Sequence, residues 1–156
     1  MASVVVQVFS FGLDRPDDAV ERMDELLPVA ERDAPPRVLI ARASTRLLLA
    51  DALGVAPASL RISRRCAHCG HPTHGRPVLE GDDRLSFSVS HSGSLGVVAL
   101  GDGDLLIGID VEVVRPRVRL DALAARVLDA GSYAEWRDLG SDEQLVSFLR
   151  AWTAKE

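Results

Sequence analysis

Pro35 and Pro36 stand directly before a run in which Leu39, Ile40, Ala43, Leu47 and Leu48 recur at helical spacing, and Gly54 closes it. Proline at the first helical position is preorganised for the turn, and glycine just past the end supplies a left-handed stop. The pattern predicts a helix over Arg37–Leu53 with one apolar side and arginines on the other. Its surroundings read differently. Ser3–Phe9 alternates and is β-branched, Ser59–Ser63 reads as a short strand, and Leu85–Ser90 and Gly96–Leu100 read as longer ones. Gly101–Asp104 has the composition of a hairpin turn leading into a strand over Leu105–Glu112, so the last three strands are expected to form an antiparallel meander. Asp17 is placed to cap a helix carrying Val20, Met23, Leu26 and Leu27. Beyond Pro116 the period is helical again: Val118–Leu128, Ser132–Leu139 and Asp142–Lys155, the last with Leu145, Val146, Phe148, Leu149 and Trp152 on one face.

With 156 residues, 47% of them hydrophobic, the chain can bury a core as one domain or two small ones. Apolar runs such as Leu47–Ala50 and Leu95–Leu100 fall far below the roughly 18 residues that a membrane span requires. The first residues lack a basic segment followed by an apolar block. A soluble, cytoplasmic protein with no membrane partner is expected. A net charge of −5 argues against a nucleic-acid partner, because phosphate contacts need a basic face. Lys155 is the only lysine among 18 cationic residues.

Five clusters carry candidate chemistry. In Gly108-Ile109-Asp110-Val111-Glu112, a strand would project Asp110 and Glu112 from one face. Two carboxylates about 6.6 Å apart repel by roughly 2.5 kcal/mol at an effective dielectric near 20. Water offsets this on an open face; in a site, Mg²⁺ does so, since it takes one or two carboxylates together with substrate phosphates. Phe87-Ser88-Val89-Ser90-His91-Ser92 ends a strand in hydroxyls around a histidine, a set that binds phosphate oxygens or else satisfies a turn. Trp152-Thr153-Ala154-Lys155-Glu156 closes the last helix with a cation and a carboxylate. The series Arg37, Arg42 and Arg46 reads as the solvated face of the long helix, with Arg37 best placed for an anion at its start. Cys66-Ala67-His68-Cys69, with His71 and His74, offers Zn²⁺ donors but lacks a second C-x-x-C or a spaced histidine pair. A reduced, solvent-facing loop is the plainer reading.

Taken in order, Gly75-Arg76-Pro77, the strand ending Ser90-His91-Ser92, Gly108 to Glu112 and Trp152 to Glu156 resemble the Sfp-type 4'-phosphopantetheinyl transferases. Those enzymes show G-K-P, F-N-x-S-H-S, G-x-D-x-E and W-x-x-K-E-A in this order and with similar gaps. The resemblance implies an α+β fold of two similar α/β halves: 1–103, on the coenzyme A nucleotide side, and 104–156, the start of a second half. It implies transfer of the phosphopantetheine arm of coenzyme A to a serine of an acyl or peptidyl carrier protein, with Mg²⁺ held by Asp110, Glu112 and Glu156. Arg37, Arg42, Arg76, Ser90, His91 and Lys155 would bind coenzyme A, and Glu156, Lys155 and Asp110 would serve catalysis. Arg76 replaces the family lysine, which keeps the charge and adds donors. Arg115, Arg117 and Arg119 are placed to meet an acidic carrier surface, or form a solvated loop.

The sequence departs from the family in two places. The family chain continues past W-x-x-K-E, so the resemblance implies an incomplete second half and an uncovered sheet face, with weak stability, self-association or a partner as the consequence. Ser132 also stands where the family has a glutamate, with Glu135 out of register. A relative that binds coenzyme A or a carrier protein without turnover is the alternative.

Overall fold

The computed structural model describes residues 5–14, 23–65, 69, 71, 75–116 and 119–155. Strands and helices are both present, an α+β composition. The chain divides into two compact units, Met1–Ile109 and Asp110–Glu156.

In the first unit, β1 (Val6–Gly12), β4 (Leu85–Ser92) and β5 (Leu95–Asp102) form an antiparallel sheet in the order β1-β5-β4. Phe9 and Val89 both lie opposite Val98. Period-two alternation therefore puts Phe9, Phe11, Phe87, Val89, Val98 and Leu100 on one face. The 18-residue helix α1 (Pro36–Leu53) packs there. Leu49 and Ala50 join Leu60, Phe87, Val98 and Leu100 in the main core cluster. Burying a side chain the size of Phe87 contributes about 2–3 kcal/mol.

The proline and glycine brackets of α1 act as the sequence predicts: Pro36 is its first residue, and Gly54 takes the left-handed φ of 70°. Two of its side chains depart from expectation. Leu47 is 43% exposed, whereas Arg46 is 1% exposed and belongs to the interior.

A second pair, β2 (Ile62–Arg65) and β3 (Arg76–Leu79), forms a two-stranded antiparallel ribbon. The predicted strand over Ser59–Ser63 thus starts later. Pro57–Ser59 forms a 3₁₀ turn, with the Ser59 hydroxyl donating to the Ala56 carbonyl at 2.7 Å. Both ends of the loop expected between Arg64 and Pro77 pair with each other in this ribbon.

The third strand of the expected meander is absent: Leu105–Glu112 has no regular structure. A strand has two edges, and those of β5 are taken by β4 and β1. The first part of the segment instead lies on the other face of the sheet, where Leu105 and Ile107 lie over Gly101. The Ile109 N–H donates to the Ser88 hydroxyl at 3.2 Å. The opening strand begins at Val6, and the helix expected after Asp17 falls largely outside the described residues.

The second unit consists of α2 (Leu120–Val127), α3 (Ala130–Arg137) and α4 (Ser141–Lys155) around Ala124, Trp136, Phe148 and Leu149. The Trp136 indole donates to the Gln144 carbonyl at 2.7 Å, while the Gln144 amide donates back to the Trp136 and Arg137 carbonyls. Tyr133 stacks on Trp136 with ring centroids 5.9 Å apart. Its hydroxyl donates to Asp121 at 2.8 Å, which raises the tyrosine pKa.

Candidate functional site

Between α1, the ribbon and β4 the first unit holds a cleft of about 400 Å³. Val38, Ala41, Ile62, Pro77, Phe87 and Val89 give it apolar walls; Arg42, Arg46, Arg64 and His91 supply positive or protonatable groups. Glu31 is the one carboxylate in this lining. A concave site with apolar walls and a few convergent polar groups is the usual form of a small-molecule pocket. Here most of the charged or protonatable groups are cationic.

Each wall has a local cause. His91 shares a face of β4 with Phe87 and Val89, so alternation delivers it to the cleft at the end where the strand leaves the core. Arg42 and Arg46 are one helical turn apart on α1 and emerge side by side.

Both arginines are organised by Glu31, which ends a short 3₁₀ turn. The Glu31 carboxylate accepts from Arg46 Nη2 in an ion pair and from Arg46 Nε at 3.2 Å. The Glu31 backbone carbonyl accepts from Arg42 Nη1 at 2.7 Å. Arg46 Nη1 also donates to the carbonyls of Pro57 at 3.0 Å and Leu60 at 2.8 Å. This explains why an arginine predicted to face solvent is buried: a guanidinium can leave water when its charge is paired and its donors are engaged. Helical periodicity carries no trace of acceptors contributed by other segments, so this pairing has no signature in the sequence.

The remaining residues singled out in the sequence are distributed more widely. Arg37, in the first turn of α1, donates to Asp14 at 2.6 Å and to the Gly93 carbonyl at 3.1 Å. Arg76 lies on β3, and its Nη2 donates to the Phe87 carbonyl at 3.0 Å. Neither is part of the cleft lining. Ser90 is half-buried, on the face of β4 opposite His91 and shared with Ser88.

Asp110 and Glu112 are half-buried in the irregular stretch that opens the second unit, rather than projecting from a strand. The Lys155 ammonium donates to the Val127 carbonyl at the C-terminal end of α2, where a cation meets the negative end of the helix. Ser132 donates its hydroxyl to Asp129 at 2.8 Å as part of the α3 N-cap. Asp129 also accepts the Gly131 and Ser132 N–H groups at 3.0 Å each. These bonds, chiefly the one from the Ser132 backbone, lower its pKa.

Glu156, Cys66, His68, His74 and Arg117 lie outside the described residues, and with them the proposed third carboxylate and most of the zinc-type loop. Among the described residues no three His, Cys, Asp or Glu side chains gather as a metal site. Asp110 and Glu112 nevertheless supply the hard oxygen donors, two residues apart, that Mg²⁺ uses when substrate phosphates complete its shell. No helix of the described residues is long and apolar enough to cross a membrane.

The first unit thus carries an apolar-walled cleft with arginines and a histidine in its lining. No family model matches the chain. Similar proteins are more specific. Over 83 residues, 53% of this chain and 42% of the relative, it is 39% identical to the 4'-phosphopantetheinyl transferase AcpT of Salmonella typhimurium. It is 31% identical to the 4'-phosphopantetheinyl transferase HetI of Nostoc sp. over 123 residues, 77% of this chain and 48% of the relative. A 4'-phosphopantetheinyl transferase of Bacillus subtilis is 29% identical over 120 residues, 77% of this chain and 49% of the relative. By sequence, the chain is similar to 4'-phosphopantetheinyl transferases. It spans about half the length of the curated relatives it matches.

Proposed function

We propose that this chain carries the nucleotide-binding part of an enzyme that transfers the 4'-phosphopantetheine arm of coenzyme A to a serine of an acyl or peptidyl carrier protein. The observation that carries this reading is the cleft itself. Its apolar walls suit a purine and ribose, and Arg42, Arg64 and His91 suit the attached phosphate. The two-half architecture of the family would place a second, similar unit after the first. Residues 104–156 would begin that unit.

In the reaction, the serine oxygen attacks the β-phosphorus of the coenzyme A pyrophosphate. A new P–O bond forms to serine, the bond to the bridging oxygen breaks, and adenosine 3',5'-bisphosphate leaves with that oxygen. The serine proton passes to a carboxylate, the role we assign to Glu156. Asp110 and Glu112, with Glu156, would hold Mg²⁺, which supplies charge neutralisation at the pyrophosphate. Lys155 would add a further cation, and Arg37 and Ser90 would join His91 in binding coenzyme A. Little covalent chemistry falls to the protein. Its task is to orient the nucleotide and balance charge.

The engaged states of Lys155 and Ser132 favour a second reading, in which the chain binds coenzyme A without turnover. Incubation with coenzyme A, Mg²⁺ and an apo carrier protein, followed by intact mass measurement, separates the two. Transfer adds one phosphopantetheine mass to the carrier, and Asp110→Ala removes it. No mass gain across several carriers, with coenzyme A binding retained in calorimetry, selects the second reading. Absence of both overturns the assignment.

A further inference from the structure

The G-x-P stretch of this chain puts an arginine, Arg76, on β3, but the ribbon sends a different arginine to the cleft. Arg64 of β2 pairs across the ribbon with Pro77, and both residues line the cleft. Adjacent residues on a strand face opposite ways. Arg76, next to Pro77, accordingly turns aside and donates to the Phe87 carbonyl at 3.0 Å.

Among the three arginines of the cleft wall, Arg46 is buried and engaged by Glu31, Pro57 and Leu60, and Arg42 is half-buried and tied to the Glu31 carbonyl. Arg64 differs from both. It is exposed, and Nη1 donates to the Gly75 carbonyl at 3.1 Å, which fixes one corner of the guanidinium against the ribbon. A guanidinium has five N–H donors in a rigid fork, so a single anchored corner leaves an edge suited to two oxygens of one phosphate.

We propose that Arg64 is a ligand-binding residue of the cleft and grips a phosphate of the bound nucleotide, the contact that Arg76 would have been expected to make. This rests on the nucleotide-binding reading given above. Anchoring by Gly75 also makes the contact specific to arginine: a lysine has the charge but neither the fork nor the fixed corner.

Calorimetric titration with adenosine 3',5'-bisphosphate tests it on the intact chain and on Arg64→Ala, Arg64→Lys, Arg76→Ala and Arg84→Ala variants. Loss of one charge-assisted contact predicts about tenfold weaker binding for Arg64→Ala. Arg64→Lys should fall between it and the parent, and Arg76→Ala should lose less than Arg64→Ala. Arg84, an exposed residue paired with Asp82 at 2.6 Å, serves as the charge-matched control and should leave affinity unchanged. Affinity of Arg64→Ala should also depend less on salt, a change that a purely structural role would not produce. Parent-like affinity in Arg64→Ala overturns the proposal while leaving the cleft reading intact. A parent protein that fails to bind the bisphosphate overturns both.

Discussion

Replacing Glu31 with alanine isolates what the buried ion pair does for the first unit. In the variant, Arg46 keeps the carbonyls of Pro57 and Leu60 but loses both carboxylate contacts, which leaves a buried charge without its counterion. Removing one partner of a buried pair costs about 3–5 kcal/mol. The Glu31 side chain is 27% exposed, against 2% for Arg46, so water reaches part of the site and the lower end applies. A loss of about 3 kcal/mol in a chain of this size lowers the melting temperature by roughly 6–12 °C.

Far-ultraviolet circular dichroism is the assay to use, because Trp136, Trp152 and Tyr133 all belong to the second unit and indole fluorescence would report on that unit instead. The double variant Glu31→Ala with Arg46→Met should melt above Glu31→Ala alone, since methionine removes the stranded charge while retaining much of the volume. A Glu31→Ala protein melting within about 2 °C of the parent would refute the reasoning, as would a double variant no more stable than the single one.

Further outcomes follow from other contacts. Gly96→Ala would bring a Cβ to 2.3 Å from the Phe11 ring, which packs with Leu13, Ile40 and Ala41. Moving that ring should cost about 2 kcal/mol in urea unfolding, and an unchanged midpoint would show that the ring relocates freely. Asp129 has a lowered pKa, so its cap contributes above the unfolded-state value and is lost as pH falls through the lower folded-state value. In a pH series followed by NMR, the amide signals of Gly131 and Ser132 should therefore move only below the usual aspartate range; movement at the ordinary value would contradict the cap. Gly54→Ala would force a side chain into the left-handed region at φ 70° and should destabilise the end of α1 by about 1 kcal/mol, measurable as faster amide exchange there.

Local signals made much of the fold legible. Pro36 and Gly54 bracket α1 because their backbone preferences act within one or two residues; alternation marks β4, and a short apolar run marks β5, which is buried on both faces. Alternation also made Leu105–Glu112 look like a strand, but it cannot say whether an edge remains to pair with. The edge it needed belongs to β1, which arrives from the other end of the unit. Of the residues proposed for binding, Arg42 and His91 line the cleft, while Arg37 and Arg76 bond elsewhere in the same unit. Arg64 was hidden because its orientation depends on a ribbon whose register a Cys/His/Gly-rich loop does not advertise.

Glu31 grips Arg42 through its main chain and Arg46 through its side chain, while Arg46 reaches on to the turn at Pro57–Leu60. A ligand that draws Arg42 inward thus pulls on a lever whose far arm ends at residues without any direct contact to it. By reciprocity, whatever stiffens that distant turn also strengthens the grip on the ligand. Amide exchange at Ser59 and Leu60 should slow when the cleft fills, so the turn becomes a remote gauge of occupancy.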